Sequence, residues 1–93
     1  MAKIRCEKVS LGMREEERTV TVRNAVSGLR SFVRVETDFL THLDGNYYLP
    51  VGVIQREPEH GLVLVELPQA PDAGNTRLWV RNADLLESSK AAT

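Results

Sequence analysis

The fold is decided by the stretch Gly61-Leu62-Val63-Leu64-Val65-Glu66-Leu67, the most hydrophobic segment of the chain. It is apolar on both faces, and a short apolar run bounded by turn residues is typical of a central β-strand. The turn before it, residues 56–61, has proline and glycine where a hairpin turn uses them. The turn after it, residues 68–75, is richer still in Pro, Asp, Gly and Asn. We therefore expect a strand with a turn at each end.

Alternation of apolar and polar residues marks the other strands. In Thr19–Arg23 the valines share one face and the polar residues the other, as a half-buried strand requires. Phe32–Glu36 repeats this pattern, and residues 24–31 between the two strands are predicted to form a hairpin loop. Leu49–Ile54 and Thr76–Arg81 are further strands. The residues predicted to face the core are Val20, Val22, Val33, Val35, Leu49, Val51, Val53, Val63, Val65, Leu78, Val80 and Leu85. For the central strand, Leu62 and Leu64 are the alternative to Val63 and Val65.

Several segments are less regular. Lys3–Leu11 predicts a first strand with imperfect alternation, and Gly52 predicts a bulge or bend within its strand. Thr37–Leu43 fits either a strand that ends in an Asp44-Gly45 turn or one turn of helix, and the turn-like interpretation is favoured. Asn82 is expected to cap a single helical turn over residues 83–87.

Length and composition indicate one domain without a membrane or export segment. The 93 residues suit a single domain, predicted over residues 1–87, followed by a flexible polar tail over residues 88–93. The formal net charge is −1, so the molecule as a whole does not attract nucleic acid or membranes. Cys6 is the only cysteine, which is typical of a reducing compartment. We therefore expect a cytoplasmic protein with no membrane partner.

Five or six short antiparallel strands joined by Gly, Pro and Asn turns predict an all-β class and a small closed or nearly closed barrel. The end of the chain resembles SH3-like small barrels: a strand carries Trp79-Val80, and a polar residue, one helical turn and the pair Leu85-Leu86 follow. The resemblance covers about the second half of the chain. It lacks the acidic specificity loop and the paired tyrosines of signalling SH3 domains, so recognition of proline-rich peptides is not implied. An OB-like barrel is the alternative.

Residues with catalytic or metal-binding chemistry are dispersed. His42 and His60 are the only histidines, they fall beside different predicted turns, and no serine lies in a nucleophile elbow. Cys6 is interpreted as a half-buried structural residue. The run Glu15-Glu16-Glu17 is interpreted as a solvated acidic turn, because consecutive strand residues point to opposite faces and do not converge on one ion. His42 and Asp44 are interpreted as turn residues. The sequence thus predicts no enzyme, no catalytic residues, no metal site and no cofactor.

The candidate binding residues are aromatic side chains with arginines beside them. If Leu78 and Val80 face inward, Arg77, Trp79 and Arg81 share the outer face, and the same argument groups Arg30, Phe32 and Arg34. Tyr47 and Tyr48 follow the Asp44-Gly45-Asn46 turn, and one of them must face outward. Stacking surfaces beside guanidinium groups bind carboxylates, nucleobases and protein hot spots. The candidate binding residues are Trp79, Arg77, Arg81, Tyr47, Tyr48, Phe32, Arg30 and Arg34.

Two functions remain open on these residues. The first is a non-catalytic binding module that contacts a protein partner, or a second copy of itself, through the aromatic and arginine face. The alternative is a small barrel that binds single-stranded nucleic acid by stacking bases on the aromatic residues. The acidic pI of about 6.1 and the lack of a lysine-rich stripe favour the first.

Overall fold

The computed structural model describes residues 2–71 and 75–87, and within them the chain is all-β with antiparallel sheets. The strands are β1 (Ala2–Arg5), β2 (Lys8–Leu11), β3 (Glu17–Arg23), β4 (Arg30–Glu36), β5 (Thr41–Leu43), β6 (Asn46–Glu57), β7 (Leu62–Glu66), β8 (Arg77–Arg81) and β9 (Leu85–Glu87). Short 3-10 turns occupy Thr37–Phe39, Pro58–His60 and Asn82–Asp84. The predicted tail, residues 88–93, lies outside the described residues.

The strands form two sheets. The larger has the order β8-β7-β6-β1-β9, with β5 paired to the first part of β6, and the smaller has the order β2-β3-β4. The small sheet is thus a meander inserted between β1 and β6. Within the described residues β8 and β9 do not pair with each other, so the strands form no closed barrel, and the predicted closure is absent there.

The long strand β6 serves both halves of the larger sheet. Residues 48–51 pair with β1, and residues from Gly52 onward pair with β7, so Gly52 lies where the strand exchanges one partner for the other. The register with β7 shifts between Val53 and Gln55, which identifies the bulge at Ile54, two residues beyond the glycine. A bulge increases local twist and bends the strand. The glycine therefore marks the bend, and the ladder irregularity follows it.

Both sheets contribute their inner faces to one hydrophobic core. Ten of the twelve residues predicted to face inward are buried, and the other two, Val53 and Leu85, are half-buried and pack against the core. The choice of Val63 and Val65 as the inward face of β7 is confirmed. The sequence did not single out Ala2, Ile4 and Leu67, which are also buried.

Three local predictions change in the structure. The first predicted strand divides at Cys6-Glu7 into β1 and β2, which belong to different sheets. Thr37–Leu43 contains both alternatives in succession, a 3-10 turn and then β5. The helical turn near the end covers only Asn82–Asp84 and has no side-chain cap, because Leu85–Glu87 pairs with β1 as a strand. No helix in the described part of the chain is long and apolar enough to span a bilayer.

Candidate functional site: an arginine-rimmed groove

A groove with a cavity volume of about 620 Å³ opens between the two sheets. Ile4, Val22 and Val80 contribute its apolar wall, and all three are buried. Its polar wall comes from the end of β1, the end of β3, the β3–β4 loop and the turn after β8. We call this cavity the inter-sheet groove. Its polar wall consists of Arg5, Cys6, Glu7, Arg23, Asn24, Asn46, Arg81 and Asp84.

One carboxylate of the groove lies between two arginines. Arg5 donates from Nη2 to Oδ1 of Asp84 at 2.9 Å, and Arg81 donates from Nη2 to Oδ2 of the same carboxylate at 3.3 Å. Asp84 belongs to the 3-10 turn between β8 and β9, and Arg5 ends β1. The turn thus places the Asp84 carboxylate between the C-terminal ends of β1 and β8.

The second carboxylate has the same arrangement. Glu7 accepts a hydrogen bond from Nε of Arg30 at 2.7 Å, and Nη2 of Arg23 lies 2.7 Å from its other oxygen. The Arg30 hydrogen bond and the charge of Arg23 hold the pKa of Glu7 below its ordinary value, and they outweigh the opposing effect of partial desolvation. Glu7 therefore connects the link between β1 and β2 to the loop end of the β3–β4 hairpin, where Arg23 and Arg30 lie opposite each other.

These ion pairs leave the rim of the groove positive. Four arginines meet two carboxylates, an excess of two positive charges in a chain whose formal net charge is −1. The side chains are partly exposed and screened by solvent, so each pair contributes little to stability. Guanidinium groups that are already aligned on carboxylates have donors placed for a further carboxylate or phosphate. The groove is suited to an anionic ligand.

The predicted outer face of β8 adjoins this groove. Leu78 and Val80 are buried, so Arg77, Trp79 and Arg81 face outward as predicted. Trp79 is half-buried and lies across the sheet from Leu64. Arg77 contacts Glu66 at 3.4 Å on the neighbouring strand. Arg81 belongs both to this face and to the rim of the groove.

The β3–β4 loop fastens the groove to the edge of β8. The N–H of Ala25 donates to the carbonyl oxygen of Trp79 at 2.7 Å. Asn24 shapes the loop, because its Oδ1 accepts from the backbone N–H groups of Val26 and Ser27. Val26 and Leu29 are exposed apolar residues at this loop. The backbone of Trp79 is therefore tied to the loop that lines the groove, while its side chain lies on the outer face of β8, the face it shares with Arg81.

The second predicted face lies on the other sheet. Ser31, Val33 and Val35 are buried, so Arg30, Phe32 and Arg34 point outward, and Phe32 is 41% exposed. Because the inner faces of both sheets share one core, their outer faces point away from each other. Phe32 and Trp79 thus lie on different surfaces. Only Arg30, at the start of β4, reaches the rim of the groove through Glu7.

The tyrosines lie toward the β5 end of β6. Tyr47 stacks on His42 with ring centroids 4.5 Å apart, and in the described residues no other pair of aromatic rings stacks. Tyr48 pairs with Arg5 on one side and Thr41 on the other. Trp79 reaches β6 only through Leu64 and Gln55, in the opposite half of that strand. The structure therefore does not bring the tyrosines and Trp79 together as one aromatic surface.

Cys6 and His42 lie on either side of Tyr47, too far apart to form a reactive pair. The N–H of Cys6 donates to the carbonyl oxygen of Tyr47 at 2.9 Å, and Tyr47 pairs with His42 on the next strand. Tyr47 thus separates them by two strand spacings, about 10 Å. Burial raises the pKa of the Cys6 thiol to about 12. Cys6 is half-buried, in agreement with its interpretation as a structural residue.

One cluster of metal-ligand types was not foreseen from the sequence. Ligand atoms of Glu57, Glu59 and His60 lie within 4.8 Å of one another at the turn after β6. Glu59 and His60 are exposed, and His60 Nδ1 is 3.7 Å from a carboxylate oxygen of Glu57. Exposed acidic groups of this kind are common without an ion. The absence of a metal site stays a prediction.

The sequence did not reveal the groove. Arg5, Glu7, Arg23 and Asp84 were not among the candidate residues, and their contacts join distant parts of the chain, as in the Arg5–Asp84 pair. Comparisons of the chain with models of protein families, with curated proteins and with solved structures found no match.

Proposed function

We propose that this chain is a non-catalytic binding module that takes an acidic segment of a partner protein in the inter-sheet groove and anchors it on Trp79. The observation that carries the proposal is the excess of two arginine charges around the groove. Trp79 is half-buried on the outer face of β8, the face it shares with the rim arginine Arg81. Tryptophan and arginine are the residue types most enriched at binding hot spots. A cytoplasmic location and the lack of a cofactor belong to the same proposal.

We also propose that the larger sheet is an SH3-like arrangement. The order β8-β7-β6-β1-β9, with a 3-10 turn between β8 and β9, supports it, and the β2–β4 sheet would replace the long loop after the first strand. Small barrels of this type host many unrelated functions, so this likeness does not choose the ligand. The choice of an acidic protein segment comes from the charges of the groove.

Titration calorimetry with a poly-L-glutamate peptide tests the groove. Arg81→Gln removes one rim charge, and Arg56→Gln is the matched control, because Arg56 pairs with Glu87 outside the groove. We expect Arg81→Gln to weaken binding and Arg56→Gln to leave it unchanged. Equal effects of both variants, or no binding by the wild type at low salt, would contradict the proposal.

Trp79→Ala tests the anchor. A hot-spot tryptophan contributes about 2 kcal/mol or more to binding, which corresponds to roughly a thirtyfold rise in the dissociation constant. The test begins with affinity capture of a partner protein from native extract. The purified partner is then titrated with the wild type and with Trp79→Ala. A partner that binds folded Trp79→Ala as tightly as the wild type would remove Trp79 from the site.

Single-stranded nucleic acid is the second candidate, and phosphate groups would suit the same arginines. One observation weakens it: the two basic aromatic faces that would stack bases lie on different sheets. An oligo(dT) titration at rising salt separates the candidates. Phosphate contacts require the affinity to fall steeply with salt, and tighter binding of oligo(dT) than of poly-L-glutamate would favour nucleic acid.

A further inference from the structure

Strand β4 is an edge of the smaller sheet. It pairs with β3 along its whole length, and among residues 2–71 and 75–87 no strand pairs with its second edge. Its outward side chains, Arg30, Phe32, Arg34 and Glu36, are exposed. An exposed edge strand presents unpaired N–H and C=O groups to any strand that approaches it.

The backbone groups at this edge are identified by the hydrogen bonds that flank the β3–β4 ladder. Asn24 donates to the carbonyl oxygen of Leu29, and Thr37 donates to that of Glu16. Because hydrogen-bonded pairs alternate in an antiparallel ladder, Ser31, Val33 and Val35 direct their backbone groups toward β3. The N–H and C=O groups of the even-numbered residues of β4 therefore point to the free edge.

We propose that two copies of this chain associate by antiparallel pairing of their β4 strands about a two-fold axis at Val33. In this register Arg30 lies opposite Glu36 of the second copy, and Phe32 lies opposite Arg34 of the second copy. Each of these pairs consists of even-numbered residues, so all can exchange backbone hydrogen bonds, about eight in total. The two small sheets become one six-stranded sheet.

Charge complementarity favours this register over its two nearest shifts. The two-fold axis places each pair twice, which gives two Arg–Glu pairs and two arginine–aromatic pairs across the interface. A shift that centres the axis on Phe32 sets Arg30 opposite Arg34 of the second copy. A shift that centres it on Arg34 sets that arginine opposite itself. Like charges directly opposite each other are destabilising, so both shifted registers are disfavoured.

Arg30 and Glu36, the charged residues at the two ends of β4, already have partners within the chain, but these contacts leave room for a second partner. Arg30 contacts Glu7, and Glu36 lies 3.9 Å from Arg14. The side chains of Arg30 and Glu36 are 51% and 63% exposed in these pairs. Exposed pairs of this kind contribute little, and each group has further hydrogen-bonding capacity for a second partner.

This interface goes beyond the proposed function and leaves Trp79 untouched, but it shares Arg30 with the rim of the groove. Glu36, which lies outside the groove, therefore tests the interface without altering the groove. Sedimentation velocity of the full chain over a range of concentrations tests it. We expect a concentration-dependent dimer. Arg30→Glu and Glu36→Arg should each raise its dissociation constant about tenfold or more, since each replaces two attractive pairs by two repulsive ones.

Mixing the two variants supplies the decisive comparison. A mixed dimer of Arg30→Glu with Glu36→Arg has an opposite-charge pair at both ends, so we expect the mixture, and the double variant by itself, to recover wild-type association. Lys8→Glu is the matched control, because it makes the same charge reversal on β2, the other edge of this sheet. It should leave the dimer unchanged.

Amide exchange of the wild type tests the edge without any substitution. The amides of Phe32 and Arg34 should exchange more slowly as the protein concentration rises, while those of Val9 and Leu11 on β2 should not change. A wild type that is monomeric at millimolar concentration would overturn the proposal. So would a dimer that neither reversal weakens, or two weakened variants that associate no better mixed than apart.

Discussion

The backbone N–H of Ala25 donates to the carbonyl oxygen of Trp79 at 2.7 Å, and this bond joins the loop of the smaller sheet to the edge of the larger one. It gives β8 a partner on the side where no strand pairs with it in the described residues. The bond also places the β3–β4 loop beside the inter-sheet groove, since Ala25 lines that groove. Loop conformation and groove shape are therefore coupled.

Asn24→Ala should loosen this loop. The substitution removes the acceptor for the N–H groups of Val26 and Ser27, and we expect the free energy of unfolding to fall by about 1 kcal/mol. Urea unfolding measures the loss, and faster exchange of the Ala25 amide reports the weakened bond to Trp79. Val26→Ala is the control, because that side chain is exposed and its N–H is retained. Equal stability of the two variants would contradict the role of Asn24.

The turn between β5 and β6 should depend on its glycine. Asp44 and Gly45 have φ angles of 52° and 80°, and Leu43 pairs with Asn46 around them, so the hairpin has a two-residue turn. Gly45→Ala should cost about 1–2 kcal/mol, because a side chain disfavours this left-handed conformation. Gly52→Ala is the matched control. It lies at ordinary φ with nothing within 4 Å of an added Cβ, and should change stability by less than about 0.5 kcal/mol.

Thermal or urea unfolding of the two glycine variants distinguishes turn conformation from a general cost of adding a methyl group. If both variants lose the same stability, the positive φ of Gly45 is not the cause. Asp44→Asn provides a third comparison, since asparagine also tolerates the left-handed region and should be neutral.

Alternation predicted the parts of the fold in which local sequence and burial agree. In β4 each valine falls on the buried face, and in β8 the Leu78 and Val80 positions suffice to place Trp79 outward. The division between β1 and β2 had no such signal, because no proline or glycine interrupts Arg5-Cys6-Glu7. Likewise the three residues Leu85–Glu87 are too few to show a strand pattern in the sequence, and they form a strand because they pair with β1.

The groove depends on contacts that local patterns do not encode. Arg5 and Asp84 are far apart in sequence, and each is an ordinary charged residue in its own segment. Sequence reasoning selected Arg30 and Arg81 for the aromatic residues near them. In the structure their closest charged partners are Glu7 and Asp84, which turn two separate faces into parts of one rim.

Acid should remove the contribution of Glu7 to stability. Its folded-state pKa lies below its ordinary value of 4.5 because of Arg30 and Arg23, so the carboxylate stabilises the fold above that value. This stability is lost as the pH falls through the folded-state pKa, where the folded carboxylate takes up a proton. The difference in free energy of unfolding between the wild type and Glu7→Gln should therefore be largest near pH 7 and smallest near pH 3.

Urea unfolding at a series of pH values measures this difference. Glu15→Gln is the control, because Glu15 is exposed in the acidic turn, away from the groove. A difference for Glu7→Gln that stays constant from pH 7 to pH 3 would show that the arginine contacts do not stabilise its charged form.

Cys6 should resist alkylation in the folded protein. The thiolate is the nucleophile, and burial raises the pKa of this thiol from 9.0 to about 12, so at pH 8 the thiolate fraction is roughly a thousandfold lower than in the unfolded chain. We expect iodoacetamide to label Cys6 slowly in native buffer and rapidly in urea. The raised pKa also predicts that stability, complete below pH 9, falls as the pH rises toward 12, because only the unfolded chain releases the proton in this window. Cys6→Ala should lack that alkaline decline. Labelling of the native protein at the rate of the unfolded chain would mean that the thiol is neither shielded nor held in its neutral form.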